Sequence, residues 1–321
     1  MENRYSRQEI YPYIGKTGQK RLSNAKIAII GIGAIGTQAS SLLARAGIGE
    51  LILIDRDSVE LNNLQRQTLF NESDINKPKT KQAKKHLEKI NSTIKITSLD
   101  QDLNPNNISE IIGKVDLILD CTDNLQTRFL INDYSLKNNI PWIYSAGIKA
   151  TSFLMNIIPK KTPCFSCVFK QPASLDTCQT SGVLNSTTSL IASLQVSEAI
   201  KIILKKKPEI NLIQINLEKN NLNKIKIKKR KDCQACNKEY IYLNSINPQG
   251  ILKFCSTGNY QIQFKKTNLK KLKLNLEKIG KVEDLGPCIK FKNMLIFENR
   301  ALIKAKSEKE AKILISKYVG N

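Results

Sequence analysis

The sequence predicts an α/β protein with a doubly wound, Rossmann-like, mostly parallel sheet, followed by a small α+β unit. Three observations predict it. Short apolar, β-rich runs alternate with helical stretches over residues 26–216, the pattern of successive βαβ units. The first run, Lys26-Ile-Ala-Ile-Ile30, has no polar interruption after its first residue, as a strand buried on both faces requires. It leads straight into Gly31-Ile-Gly33-Ala-Ile-Gly36, a glycine-rich turn that opens a helix.

The remaining elements follow in order. Residues 37–46 read as a helix and 51–54 as a second strand ending at Asp55. Residues 77–90 read as a helix with Pro78 in its first turn, where a missing N–H costs nothing. Strands are expected at 94–98, 115–120 and 142–145, with a helix at 125–138. A long helix is expected over 188–204, stopped ahead of Pro208, with late strands at 212–216 and 224–228. The character changes after Cys236, which places one domain at 1–239 and a second at 240–321. In the second, a strand at 260–265, a helix at 268–279, a hairpin at 289–305 and a closing helix at 307–318 are expected.

With 321 residues, 41% of them hydrophobic, the chain can bury a sizeable core. Its net charge is +23, from 51 Lys and Arg against 28 Asp and Glu. The Lys excess sits beside abundant Asn and Ile and reads chiefly as a composition bias. The alternative is a field that attracts acidic partners or nucleotides. The first residues are polar and no apolar run is long enough to span a bilayer, so a cytoplasmic protein without membrane contact is expected. In that compartment the eight Cys read as thiols or metal ligands rather than disulfides.

The glycine turn permits close approach of a phosphate, and the helix behind it offers free N–H groups to the anion. Asp55, 24 positions after Gly31, stands near where an acidic residue holds a nucleotide ribose. Lys79, at a helix start, opposes the macrodipole and is better placed facing an anion, although chance placement stays open in so Lys-rich a chain. Arg66, within Asn63-Leu-Gln-Arg66-Gln67, is harder to read as solvated surface. A ribose acceptor followed by an amide, a guanidinium and an ammonium suits a reacting polyphosphate. Asp123, in Asp120-Cys-Thr-Asp123-Asn124 at a strand end, reads either as a Mg²⁺ ligand or as a helix N-cap.

Cys164-x-x-Cys167 and Cys233-x-x-Cys236 suit a tetrahedral Zn²⁺, and four protein thiolates leave no position open, so a structural role is expected. Cys178 falls in a polar, loop-like stretch between the pairs. Cys121, at a strand end, reads as packing; Cys255, in a turn-like stretch, reads as buried beside Phe254, with a second thiol nucleophile as the alternative. His86, the one His, reads as a surface residue within a Lys-rich helix, which leaves no His-based triad.

Together these pieces resemble the ubiquitin-activating superfamily, specifically the prokaryotic adenylyltransferases MoeB, ThiF and HesA. The matching segments are Arg4-Tyr-Ser-Arg7-Gln8, the glycine turn, Leu53-Ile-Asp55-Arg-Asp-Ser-Val59, Asn63-Leu-Gln-Arg66-Gln67, Lys77-Pro-Lys79, Asp120-Cys-Thr-Asp123-Asn124 and both cysteine pairs. They keep family order over residues 3–237. The resemblance implies that ATP is attacked at its α-phosphate by the C-terminal glycine carboxylate of a ubiquitin-like sulfur carrier ending in Gly-Gly. Pyrophosphate leaves and an acyl-adenylate remains. Carried over, Asp55 holds the ribose, Asn63, Arg66 and Lys79 the phosphates, and Asp123 Mg²⁺. Arg7 matches an arginine that reaches into the partner's site, which implies a homodimer. Cys178 matches the family's sulfur-handling cysteine, with a covalent role and a plain loop Cys both open, and a sulfur-donor protein is a possible further partner. Molybdopterin, thiamine and tRNA thiolation are the pathways implied.

Residues 240–321 lie outside the resemblance; carrier docking or dimer support is the expectation there, from position and a Lys-rich helix. Three other readings stand beside the leading one. Adenylation of a ribosomal peptide keeps the chemistry and changes the acceptor. An NAD-dependent dehydrogenase leaves Arg66, Lys79 and the four Cys idle. A basic zinc module binding nucleic acid leaves the glycine turn unexplained, and a nucleic-acid partner is not expected.

Overall fold

The computed structural model describes residues 3–170, 182–244, 252–253, 259–264, 267–286, 288–298 and 300–320. Contacts divide the chain into two compact units, residues 1–75 with 79–246 and residues 76–78 with 247–321.

The first unit begins with helices α1 (Ser6–Ile10) and α2 (Gly15–Asn24), then β1 (Lys26–Ile30), α3 (Ala34–Ala46) and β2 (Glu50–Asp55). Helix α4 (Lys79–Ile90), β3 (Lys95–Asp100), α5 (Ile108–Ile112), β4 (Leu117–Asp120) and α6 (Leu125–Asn138) follow. The unit closes with β5 (Trp142–Ile148), β6 (Thr151–Ile157), α7 (Phe165–Val168), α8 (Asn185–Ile203), β7 (Leu212–Asn216), β8 (Asn221–Ile225) and α9 (Ile241–Asn244). The sheet order is β3-β2-β1-β4-β5-β6-β7-β8. Pairings from β3 through β5 are parallel, and those from β5 to β8 are antiparallel.

The apolar strand runs are explained by burial on both faces. In β1, Ile27 and Ile29 pack with Ala39 and Leu43 of α3 and Ile191 and Val196 of α8. The alternating Ala28 and Ile30 join Phe129 and Leu130 of α6, with Phe165, on the opposite face. A side-chain period of two thus feeds two cores from one strand. Strand β1 is paired with β2 on one side and β4 on the other, so the chain winding reverses between β1 and β4. In open α/β sheets that reversal opens a crevice beyond the carboxyl ends of the strands.

Several boundaries differ from expectation. Helix α4 begins at Lys79, immediately after Pro78, rather than at residue 77. The last strand is Asn221–Ile225, because its register with β7 pairs Asn216 with Asn221 across a tight turn. Strand β6 was not expected: it is an antiparallel return of β5, and Asn156 within it is buried against Glu198, at 2.7 Å from Nδ2 to Oε2. His86 is half-buried rather than a surface residue; its Nε2 lies 2.7 Å from Oδ2 of buried Asp74.

The second unit holds a six-stranded antiparallel sheet. Its strands are β9 (Leu252–Lys253), β10 (Asn259–Gln263), β11 (Val282–Asp284), β12 (Ile289–Phe291), β13 (Met294–Ile296) and β14 (Arg300–Lys304), ordered β11-β12-β13-β14-β10-β9. The expected hairpin is a three-stranded meander of β12, β13 and β14. Helices α10 (Leu269–Glu277) and α11 (Glu308–Tyr318) start on Asn268 and Ser307, whose side chains accept backbone N–H groups. Leu272, Leu276, Phe291, Ile303 and Ile315 form its core.

Candidate nucleotide site and cysteine centre

The crevice is built from the ends of β1, β2 and β4. At the end of β1, Gly31 has φ +90°, and a Cβ there would stand 2.7 Å from the carbonyl oxygen of Cys121. A Cβ on Gly36 would stand 2.0 Å from the carbonyl oxygen of Gly31. These two glycines are demanded by the chain itself. Gly33 is not: outside its chain neighbours, the nearest described atom to its Cβ position is Gln67 Nε2, at 3.9 Å. The chain therefore leaves the space beside Gly33, at the start of α3, open.

Asp55 closes β2 and shapes this turn. Its Oδ2 accepts the Ile32 N–H at 2.6 Å and its Oδ1 the Asp57 N–H at 2.7 Å. Burial raises its pKa to about 6, against the lowering pull of Lys79. Lys79 is buried at the first turn of α4, with its Nζ 3.1 Å from Oδ2 of Asp57. Burial disfavours its charge, but Asp57 and Asp55 outweigh that and raise its pKa above the ordinary lysine value. The anion that Lys79 faces within the chain is thus Asp57, which sequence reasoning missed. The available signal was its spacing of two from Asp55.

Asp123 is exposed beyond β4, close enough to add to the field that raises Lys79. The N-cap of α6 is Asn124, whose Oδ1 accepts the N–H groups of Gln126 and Thr127 at 2.9 and 3.4 Å, so capping is not the task of Asp123. Behind the turn, buried Asp120 pairs with Arg128, Nε to Oδ2 at 3.0 Å. Arg128 was also missed; it stands one helical turn beyond the Asn124 cap. Cys121 is buried, 3.4 Å from Gln195 Oε1, as packing requires.

Asn63 is buried in a short 3-10 turn, where its Oδ1 accepts the Glu60 N–H at 3.3 Å. Arg66 is half-exposed and donates to the Asn62 carbonyl at 2.9 Å. Arg7 is exposed on α1 and makes no hydrogen bond or ion pair among the described residues. The structure thus gathers the glycine turn, Asp55, Lys79 and Asp123, and leaves Arg7 on the surface. Cys178 and Cys255 lie outside the described residues.

The four remaining expected ligands converge. Cys164 caps α7 and Cys167 lies within it. Their Sγ atoms and those of Cys233 and Cys236 all lie within 4.8 Å of one another. The Cys164–Cys233 and Cys167–Cys236 separations are 3.5 and 3.6 Å. A tetrahedron with Zn–S bonds of about 2.3 Å has S–S edges of about 3.8 Å, so these thiols fit Zn²⁺ with little movement. Phe165, Ala235 and Trp142 surround them in the second core.

Fold and site together define a Rossmann-like protein with charged side chains gathered at its switch point and a four-cysteine centre. The chain belongs to the ThiF family, whose model matches residues 5–236. It is 33% identical, over the full length of both chains, to a protein of Bacillus subtilis (strain 168) named sulfur carrier protein ThiS adenylyltransferase. It is 37% identical over 62% of its length to the Escherichia coli (strain K12) protein of the same name, covering 80% of that protein. With adenylyltransferase and sulfurtransferase MOCS3 of Xenopus laevis it shares 36% identity over 73% of its own length, but spans only 53% of that longer protein. Among solved structures, E. coli MccB with ATP superposes with a TM-score of 0.64 at 28% identity, over 74% of this chain and 75% of that one. No helix among the described residues is long and apolar enough to cross a membrane.

Proposed function

We propose that the protein is an ATP-dependent adenylyltransferase acting on the C-terminal glycine carboxylate of a ubiquitin-like sulfur carrier that ends in Gly-Gly. The observation that carries this is the end-to-end match with the B. subtilis ThiS adenylyltransferase. A carboxylate oxygen of the carrier attacks the α-phosphorus of ATP, the bond to the bridging oxygen breaks, and pyrophosphate leaves. Negative charge shifts onto the leaving pyrophosphate, so fixed cations placed there lower the barrier.

In this reading the turn of Gly31, Gly33 and Gly36 receives the phosphate chain, and Asp55 accepts from the ribose hydroxyls. Asn63, Arg66 and Lys79 hold the phosphates, with Asp57 keeping Lys79 charged and in place. Asp123 would hold Mg²⁺, which when bound would supply positive charge beside the phosphates. Arg7 of a second copy completes the site, so the active form is a homodimer. Zn²⁺ at Cys164, Cys167, Cys233 and Cys236 is structural, and Cys178 handles sulfur after adenylation. Thiamine, molybdopterin and tRNA thiolation are the candidate pathways, and the cytoplasm the compartment.

The test is ATP–pyrophosphate exchange with each Gly-Gly-ending carrier from the same genome. Carrier-dependent exchange is expected with at least one, and exchange with none would overturn the reading. The superposition on MccB favours a second reading, in which a ribosomal peptide is the acceptor; exchange driven by such a peptide and by no carrier would establish it instead.

A further inference from the structure

Gln67 belongs to the same polar run as Asn63 and Arg66 but has no role in the scheme above. It is 3% exposed, and its Oε1 is buried without a hydrogen-bond partner. Its Nε2 makes no hydrogen bond among the described residues either. A neutral amide buried to this degree ordinarily satisfies both ends within the chain, and the exceptions mark groups kept for another use. The second observation is independent of burial. The Nε2 of Gln67 stands 3.9 Å from where a Gly33 Cβ would be, on the side of the turn that the chain leaves open. Gly33 thus lacks a side chain where nothing in the chain forbids one, and a spare amide donor borders the same space.

We infer that Gln67 is a substrate-contacting residue, its Nε2 donating to a non-bridging oxygen of the nucleotide's α-phosphate over Gly33. This rests on the nucleotide reading of the crevice. The α-phosphate is assigned because Asp55, at the adjoining strand end, takes the ribose, and the first phosphate beyond a ribose is α. A neutral donor suits that position. It polarises the phosphorus that is attacked without repelling Lys79 or fixing the ground state as tightly as a third cation.

Direct binding of ATP, AMP and adenosine to wild type, Gln67→Met and Gln67→Glu tests this without any carrier. Thermal melts of each variant establish that it is folded. Gln67→Met is expected to weaken ATP and AMP alike, by about tenfold or more, the range for a hydrogen bond to a charged group. Gln67→Glu, which sets a carboxylate against the phosphate, weakens both further. Adenosine binding is unchanged in either variant. A folded variant that binds ATP and AMP like wild type would overturn the inference, and so would equal losses for all three ligands, the mark of a packing role. In wild type labelled with 15N at glutamine, one side-chain amide must shift on adding AMP and not on adding adenosine; its absence overturns the inference even if neither variant folds. Wild type that binds no nucleotide at all would bring down the reading of the crevice itself.

Discussion

Arg128 and Asp120 form a buried ion pair directly behind the turn that carries Asp123, with Nε 3.0 Å from Oδ2. The same guanidinium donates to the carbonyls of Thr122 and, at 3.3 Å, Ser145, and lies 4.9 Å from the centre of the Tyr144 ring. Thr122 also returns its N–H and hydroxyl to Asp120 Oδ1, at 3.0 and 2.7 Å. Residues 120–122 are thus tied to one cation, and Asp123 is held out from a fixed base.

Removing that cation leaves Asp120 charged in a site with no exposure. Arg128→Ala is expected to destabilise the protein by about 3–5 kcal/mol, the usual cost of orphaning a buried charge. At roughly 2–4 °C per kcal/mol, the melting temperature falls by about 10 °C. The double variant Asp120→Leu/Arg128→Met removes both charges and should recover much of that loss, since a buried pair is often replaceable by apolar groups. Melting of wild type and both variants checks this.

The glycine turn allows two failures to be separated. Gly36→Ala drives a methyl to 2.0 Å from a backbone carbonyl and should destabilise the fold outright. Gly33→Ala meets nothing closer than Gln67 Nε2 at 3.9 Å, so its melting temperature should stay within about 2 °C of wild type. Its ATP affinity should nevertheless fall by at least about tenfold, because the methyl fills the phosphate space. Melting curves beside ATP titrations decide; a Gly33→Ala protein with normal ATP affinity would empty the crevice of its assigned ligand.

Much of this was legible in the sequence, and the gaps have physical causes. Strands β1, β2 and β4 were readable because double burial removes polar residues; α6 was expected too, although its cap is Asn124 and not Asp123. Strand β6 was not, since Asn156 interrupts its apolar run, and its partners, the Glu198 carboxylate and the Glu209 carbonyl, lie 42 and 53 positions away. Asp55 and Lys79 stood out by position. Asp57 and Arg128 did not, because their importance lies in a partner that only folding brings near. Gln67 was visible only as the last member of the Asn63-to-Gln67 run, with no role of its own: an unpaired amide is recognised only once its neighbours are known.

Asp55 sets a pH dependence of definite sign. Its pKa is about 6 in the folded protein against 3.8 for a free carboxyl, so the folded state binds the proton more tightly. Its contribution to the stability of the unliganded protein is therefore greatest below pH about 4 and is lost as pH rises through about 6. ATP binding has the opposite trend, because a carboxylate accepts from two ribose hydroxyls while the acid form turns one oxygen into a donor. ATP affinity should drop as pH falls below about 6. In Lys79→Met the drop should begin at higher pH, since Lys79 is what holds that pKa down. Calorimetric ATP titrations between pH 5 and 8 check both; a flat profile in wild type would remove Asp55 from the ribose.

The cysteine centre should bind one Zn²⁺ per chain after gentle purification. Four thiols packed within 4.8 Å of one another, three of them buried, form a donor set that one cation between them would satisfy. The metal would join the segment after β6 to the segment after β8 and close a long loop in the unfolded chain, so its loss is felt in stability rather than in chemistry. Cys164→Ser and Cys233→Ser, both at 0% exposure, should lose the metal and melt well below wild type. Cys236→Ser, at the more accessible edge, should bind zinc weakly and melt between the two. Because the centre offers four protein ligands and no open position, a variant that keeps its fold at low temperature should retain ATP binding there. Metal analysis, melting and ATP titration on the three variants test this together. ATP binding lost in step with zinc, in a protein still folded, would assign the centre a role in the reaction.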